Sequence, residues 1–548
     1  MLIDGRTVAT EGQITCDLAI IGAGPAGLTI ARELENTQLD IIILETGGEK
    51  SSPPNESGKQ VAPDGYTYDL DKSRGRGIGG SSGLWGFIPG WQARPIDPED
   101  FQKRDWIPHS GWPITYDELI PYYEKAHQIC KLGPFRYDGE FWLQWEKSKP
   151  DFPISTDAIE TSIMRHAELT LFSSLKEHFQ KSERVTIYYN SRVIDIQSTQ
   201  SKSQVNCLKV ATDAGNQFQV IAKNYVLAAG GIDNARLLLV SNIGNEHDLV
   251  GRYFMEHPHV NTGCIKFFNR RIPREANFYI PHESSLKQDK ETENTNLFKG
   301  IIKLKQEVTT SEKLGNCIVF IYPVPEIVLS TGFRSISELY RLQDLGITPP
   351  KKVISSHYCN ALKDSPKIFY QQMRKYLGFK LPPDALIMSI ESEQIPHPDS
   401  RVVLDAQCDR FGMPIPKLQW KFTDFDLQTI KRTQEIIDRD LRKLNLGYVD
   451  QMFGDISPVS QVCGGSHHMG TTRMSSNPKY GVVDSNSRVH GVSNLYVAGS
   501  SVFPTGGSSN PTLTVIALAV RLTEELKKMF NSSLGEAFTK PDSLTARG

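Results

Sequence analysis

Cys16-Asp17-Leu18-Ala19-Ile20-Ile21-Gly22-Ala23-Gly24-Pro25-Ala26-Gly27 joins a short apolar run to a glycine-rich turn, and a helical pattern follows it through Leu34. Asp40-Ile41-Ile42-Ile43-Leu44 then reads as a buried parallel strand ending at Glu45. A glycine triplet at this spacing is weak evidence by itself. Here it has a strand before it, a helix after it and an acid about 20 residues further on, the context a dinucleotide requires. Gly22, Gly24 and Gly27 let the backbone approach a pyrophosphate, the helix start attracts its charge, and Glu45 can hold the adenosine ribose hydroxyls. The stretch therefore predicts a doubly wound α/β nucleotide domain.

Outward from that unit, the domain is expected to return in pieces. Tyr225-Val226-Leu227-Ala228-Ala229-Gly230-Gly231 is another apolar strand running into a glycine turn, with a helix from Asp233 to Val240. Arg184–Tyr189, Val193–Ile196, Cys207–Ala211 and Phe218–Ile221 read as a small inserted meander. Near the C-terminus, a strand at Leu495–Ala498 precedes a helical run from Leu513 to Leu526. The nucleotide domain is thus assigned to residues 1–100, 181–260 and 462–530. Residues 101–180 and 261–461 are assigned to a substrate domain with a mainly antiparallel sheet, and 531–548 to a flexible tail. Strands are expected in that second domain at Leu297–Leu304, Cys317–Tyr322, Ala385–Glu391, Val402–Leu404 and Lys417–Trp420. Helices are expected at Tyr116–Ile129, Asp157–Phe179, Ser335–Leu342, Pro366–Tyr376 and Asp424–Leu444. Ser51–Tyr68 reads as a polar surface loop without chemistry, and Glu283–Thr295 as a surface excursion.

Composition narrows the function. The chain has 548 residues, too many for one ordinary core, and its 61 basic and 63 acidic residues leave a formal charge of −2. That balance offers no general grip on nucleic acid or anionic lipid and points to a small-molecule partner. Eight cysteines lie scattered with no CxxC pair, against a zinc site or a disulfide scaffold, and no metal site is expected. No apolar stretch approaches the roughly 20 residues of a membrane span, so a soluble cytoplasmic protein is expected.

Two C-terminal segments carry candidate chemistry. Gly464-Gly465-Ser466-His467-His468-Met469-Gly470 places histidines in a glycine turn, and Gly506-Gly507-Ser508-Ser509-Asn510-Pro511-Thr512 leads into the last helix. Pro511 suits a first helical position, so Asn510 reads as the N-cap. A neutral imidazole beside a helix terminus that favours negative charge is a plausible proton acceptor.

The order of these motifs resembles the glucose-methanol-choline (GMC) family of flavin oxidoreductases. The likeness is carried by the Gly22 turn with Glu45, Gly79-Gly80-Ser81-x-x-x-Trp85, Ala228-Ala229-Gly230-Gly231, Gly251-Arg252-x-Phe254-x-Glu256-His257-Pro258, His467-x-x-Gly470-Thr471-x-x-Met474 and Asn510-Pro511-x-Leu513-Thr514. Within the family its C-terminal motifs resemble those of pyranose 2-oxidase-like sugar and polyol oxidases and dehydrogenases. The resemblance implies FAD bound by the nucleotide domain, with contacts at Gly79, Gly80, Ser81, Val193, Ala229, Gly499, Ser500, Pro511 and Thr512 besides the first glycines. It places the catalytic histidine on His467 and its polar partner on Asn510, with Gln394 and His468 as candidate substrate contacts. Relatives with covalent flavin carry a histidine before the loop tryptophan; Leu84 stands here, so noncovalent FAD is expected. The implied reaction oxidises the CH–OH group of a sugar, glycoside or polyol, with oxygen or a quinone-type or protein acceptor receiving the electrons. A lyase acting on a cyanohydrin-like substrate is the alternative from another class.

Overall fold

The computed structural model describes residues 1–56, 59–61, 67–86, 90–145, 155–269, 271–279, 297–324, 330–344, 351–376, 385–450, 453 and 462–538. Two eight-stranded sheets organise them. In the first, the order is Leu2–Asp4, Val185–Tyr189, Ile41–Leu44, Gln13–Ile21, Gln217–Leu227, Val205–Ala211 and Arg192–Ser198, with Leu495–Val497 paired beside the end of Gln217–Leu227. All pairs from Leu2–Asp4 to Gln217–Leu227 are parallel, and only the Val205–Ala211 hairpin side is antiparallel. Leu18, Ala19, Ile20 and Ile43 are fully buried, as a strand covered on both faces requires. Helix Pro25–Leu34 packs against the terminal helix, which in turn packs on Tyr116–Ile129.

The expected doubly wound unit is present, with three differences. Val185–Tyr189 is no meander strand; it pairs in parallel with Leu2–Asp4 and Ile41–Leu44 inside the main sheet. The expected strands at Phe218 and Tyr225 are one long strand, Gln217–Leu227, paired along its length with Gln13–Ile21. The terminal helix runs Thr512–Phe538, beyond Leu526 and into the stretch expected as a tail; residues 539–548 lie outside the described set.

The second sheet has the order Gly447–Asp450, Pro258–Phe267, Ala385–Ser392, Cys317–Val324, Phe298–Leu304, Ile159–Ala167 and Trp91–Ala93, with Val462–Gly464 on Pro258–Phe267. All of these pairings are antiparallel. Helix Asp424–Lys443 covers one face, started by Thr423, whose side chain accepts from Asp426 N while Asp426 answers the Thr423 backbone. The helix expected at Asp157–Phe179 is absent: Ile159–Ala167 is a strand and only Leu175–Phe179 is helical. Because six successive residues of that strand are buried, its sequence shows no alternation and imitates a helix face. Val402–Leu404 and Lys417–Trp420 belong to a separate two-stranded hairpin, Arg401–Cys408 with Pro414–Gln419. Trp91–Ala93, assigned by sequence to the nucleotide domain, is an edge strand of the second sheet. Glu283–Thr295 lies outside the described residues.

Candidate active site

A cavity of about 660 Å³ lies between the two sheets. One end is walled by Gly22, Gly24, Pro25, Glu45 and Val193, and the other reaches His467, His468 and Asn510. The first wall is made mostly of backbone. A Cβ on Gly22, where φ is +109°, would fall 2.6 Å from Ala228 O, and one on Gly27 would fall 2.1 Å from Gly22 O. Gly80 presses equally closely on the turn, its added Cβ 2.8 Å from Gly24 Cα. These glycines are sites of close backbone approach that no other residue permits.

Neither Gly24, the cap of helix Pro25–Leu34, nor Ala229, the cap of Gly230–Val240, makes a side-chain capping bond. Their first backbone N–H groups are therefore left for an anion. Of the residues expected to contact the cofactor, Ala229, Gly80, Ser81, Gly499, Ser500, Pro511 and Thr512 line the same cavity, while Gly27 and Gly79 stand behind it and shape the turn. Glu45 is buried, and its carboxylate accepts from Ala23 N at 2.9 Å, Gly47 N at 2.8 Å and Gly77 N at 2.8 Å. It therefore ties the first turn to the Gly75–Gly80 loop as well as facing the cavity. Arg76, Arg192 and Arg236 converge on Glu56, and Arg192 and Arg236 also on Asp409, an ion network whose arginines line this end of the cavity and which the sequence did not reveal.

The other wall is made of side chains. A pair of backbone bonds between Met255 and Met469 sets Glu256 and His257 against the His467 turn. Ser466 adopts φ 64° and turns the chain so that His467 faces the cavity. Glu256, fully buried, accepts from His257 N at 2.8 Å, Gly465 N at 3.0 Å, His467 N at 2.8 Å and the Tyr68 hydroxyl. Burial pushes its carboxyl up to about 7 against the pull of these donors.

The hydrogen bonds fix the polarity of the histidines. Gly506 O can only accept, so His257 Nε2 at 3.4 Å carries a proton and His257 Nδ1 is an acceptor. His467 Nδ1, 2.9 Å away, must then be the donor, which leaves His467 Nε2 as the ring's acceptor. Asn510 Nδ2 stands 3.0 Å from that nitrogen, while Asn510 Oδ1 is buried without a partner. Burial and the neighbouring His257, His259 and His468 hold the His467 imidazole well below the ordinary histidine range, so it is neutral at pH 7.

His468 is the buried neighbour, its Nε2 2.9 Å from the Tyr68 hydroxyl. Because Tyr68 donates to Glu256, His468 Nε2 donates to Tyr68, and burial pushes His468 down to about 3. Tyr68 sits on a short hairpin strand, Thr67–Asp69, within the stretch read as a loop without chemistry.

Two readings need correction. Asn510 is not an N-cap: the helix begins at Thr512, Val515 N bonds back to Pro511 O, and the Asn510 amide is turned to His467. Gln394 does not line the cavity. It is 1% exposed, its oxygen accepts from Glu256 N at 2.9 Å and Trp420 Nε1 at 3.0 Å, and its nitrogen donates to Lys421 O at 2.6 Å. Those bonds occupy it in holding the Glu256 segment.

Residues 396–519 match the GMC oxidoreductase family. Paromamine 6'-oxidase of Streptomyces fradiae is 32% identical over 563 residues, covering 92% of this chain and 90% of its own. The 2-methyl-1,2-propanediol dehydrogenase of Mycolicibacterium austroafricanum is 22% identical, with 95% of this chain and 97% of its own covered. A solved structure of Aspergillus oryzae formate oxidase superposes with a TM-score of 0.55 at 17% identity, covering 96% of this chain and 100% of that one. The chain belongs to the GMC oxidoreductase family and is an oxidoreductase of that family.

Proposed function

We propose that this protein oxidises a CH–OH group of a sugar, glycoside or polyol, using noncovalently bound FAD and His467 as proton acceptor. The reading is carried by the polarised line His257–His467–Asn510, which leaves one basic lone pair and one unpartnered amide oxygen at the same end of the cavity. A substrate hydroxyl donates to His467 Nε2 and displaces the Asn510 amide nitrogen, and the two side chains then fix the carbinol oxygen between them. The hydroxyl proton passes to Nε2 and the carbinol hydrogen leaves with its bonding pair, giving a carbonyl product. Bound FAD supplies the two-electron hydride acceptor.

The cavity wall of glycines, uncapped helix starts and Glu45 suits the dinucleotide, and Thr512 begins a helix whose positive end lies beside His467 and Asn510. Leu84 on that wall has no nucleophile with which to bond a flavin. Acid precipitation is expected to release the yellow chromophore into the supernatant; a yellow pellet would contradict noncovalent binding. Anaerobic mixing with sugars and alcohols is expected to bleach the flavin, whereas an unchanged spectrum with every alcohol favours the lyase alternative.

The relative named as a dehydrogenase supports a second reading, in which a quinone or protein acceptor takes the electrons. Reoxidation of the reduced enzyme by oxygen, compared with reoxidation by a quinone, separates the two.

A further inference from the structure

The second sheet turns one face to the cavity, and the alternation of its strands decides which side chains stand there. His259 and Asn261 share that face of Pro258–Phe267, and Ser389 and Glu391 share it on Ala385–Ser392. Strand pairing sets His259 opposite Glu391 and Asn261 opposite Ser389. Tyr322 lines the same wall from the strand beside Ala385–Ser392, and Gln92 from the edge strand Trp91–Ala93. Lys299 lies beside them, its Nζ 3.3 Å from the Tyr322 hydroxyl and 3.9 Å from the centre of the Phe320 ring.

This wall concentrates polar atoms that the protein itself does not satisfy. His259 Nε2, Glu391 Oε2 and Gln92 Oε1 are buried and have no hydrogen-bond partner, and all three residues line the cavity. Buried polar atoms are almost always paired, so several unpaired ones in a single wall mark where a ligand completes them. His259 Nε2 stands 3.6 Å from Glu391 Oε1, which leaves the second carboxylate oxygen directed elsewhere. The pair also adjoins the proton acceptor. A Cβ on Gly465 would fall 2.5 Å from His259 Nε2 and 2.9 Å from His467 Nδ1, so this glycine lets the two rings approach to 5.7 Å between centres. His467, His259 and Glu391 thus form one row running outward from the reacting end.

Charge narrows the ligand. Burial pushes the Glu391 carboxyl up and the ammonium of Lys299 pulls it back, while His259 is held down to about 4 and is neutral. The Lys299 ammonium already stands beside this wall, 3.3 Å from the Tyr322 hydroxyl, so an ammonium bound here would meet a like charge. A hydroxyl fits both partners, since it donates to a carboxylate oxygen or accepts from an imidazole N–H.

We propose that His259 and Glu391 are a specificity-determining pair that holds neighbouring ring hydroxyls of a neutral polyhydroxylated substrate while its carbinol meets His467. This rests on the proposed alcohol oxidation and adds its substrate class: neutral aldoses or glycosides, in preference to amino sugars and small alcohols.

The test uses the FAD-loaded enzyme, a panel of neutral methyl hexopyranosides, their amino-deoxy counterparts and a small secondary alcohol. In the unaltered enzyme, a neutral glycoside is expected to half-saturate flavin reduction at a lower concentration than its amino counterpart. In Glu391→Gln, the half-saturating concentration for the glycoside, relative to that for the small alcohol, is expected to rise about ten-fold or more, the scale of one lost charge-assisted hydrogen bond. His259→Gln is expected to shift the same ratio in the same direction. Preference for the amino sugar, lost in Glu391→Gln, would overturn the proposal in favour of an ammonium anchor. An equal shift for glycoside and small alcohol would also overturn it, because the residue would then be structural. If no alcohol bleaches the flavin, the oxidation itself fails, and the pair is judged separately by glycoside-induced perturbation of the oxidised flavin spectrum: its loss in Glu391→Gln supports the pair and its persistence overturns it.

Discussion

The two walls of the cavity are built of different materials. The wall around the first turn is backbone, made of glycines pressed together at 2 to 3 Å from any added Cβ and of helix starts without side-chain caps. The opposite wall is side chain, a set of histidines and carboxylates held by one another: Glu256 under the His467 turn, Tyr68 between Glu256 and His468, and His259 against Glu391. A backbone wall tolerates almost no substitution and recognises what every member of a cofactor class shares. A side-chain wall tolerates change one residue at a time, and each change alters chemistry or choice.

That contrast sets the order of effects. Gly27→Ala should be the most damaging single change, because its Cβ would meet Gly22 O at 2.1 Å and Ile20 Cγ2 at 3.1 Å. The protein is expected to purify without FAD or to fail to fold, read as the ratio of flavin to protein absorbance; full flavin content would break the comparison. Glu256→Gln follows. It keeps the shape but replaces one carboxylate oxygen by a donor facing the backbone N–H groups it should accept from. Flavin reduction should slow by about ten-fold, with a loss of roughly 1–3 kcal/mol of stability from the mismatched buried donors. As a positioning residue, Glu256 should also move the acid limb of the pH profile when replaced; an unmoved limb would reduce it to a purely structural part.

Gln394→Ala is smaller again. It leaves Glu256 N and Trp420 Nε1 without their acceptor, so about 1–3 kcal/mol of stability should be lost in thermal or denaturant unfolding. Substrate preference should not change; a changed preference would return Gln394 to the substrate wall. The mildest test is pH. His467 has a lowered pKa, so it stays neutral and able to accept a proton down to well below pH 6.5, losing that capacity only as pH falls through the lowered value. Any acid limb in the rate constant for flavin reduction between pH 8 and pH 6.5 should therefore belong to Glu256, pushed up to about 7, and not to His467. A limb near pH 7 that vanishes in Glu256→Gln assigns it to the carboxyl; one that persists contradicts the lowered histidine.

The difference between the walls also explains what the sequence disclosed. Gly22, Gly24, Gly27 and Glu45 are legible because they sit within one strand–turn–helix–strand unit and owe their spacing to local geometry. His467 and Asn510 are legible for the same reason, each lying in a short glycine or proline segment. Asn510 was misread as a cap because nothing local reveals that its amide turns to an imidazole brought from residue 467. Glu256 and His257 stood within a recognised motif, yet their role depends on a bridge between Met255 and Met469. His259 and Glu391 face each other only through the register of distant strands. Tyr68 was hidden in a polar stretch, and Ile159–Ala167 gave no alternation because nearly all of it is buried. Local constraints could be read; pairings made by the folded sheet could not.

The central claim is that the lone pair on His467 Nε2 takes the substrate proton, and stopped-flow flavin reduction under anaerobic conditions in His467→Ala and His468→Ala tests it most directly. With FAD content intact, His467→Ala should slow reduction by about 100-fold or more, the usual scale of a lost general base, and His468→Ala should have the smaller effect. A larger loss in His468→Ala, or reduction at the unaltered rate in His467→Ala, would contradict the account.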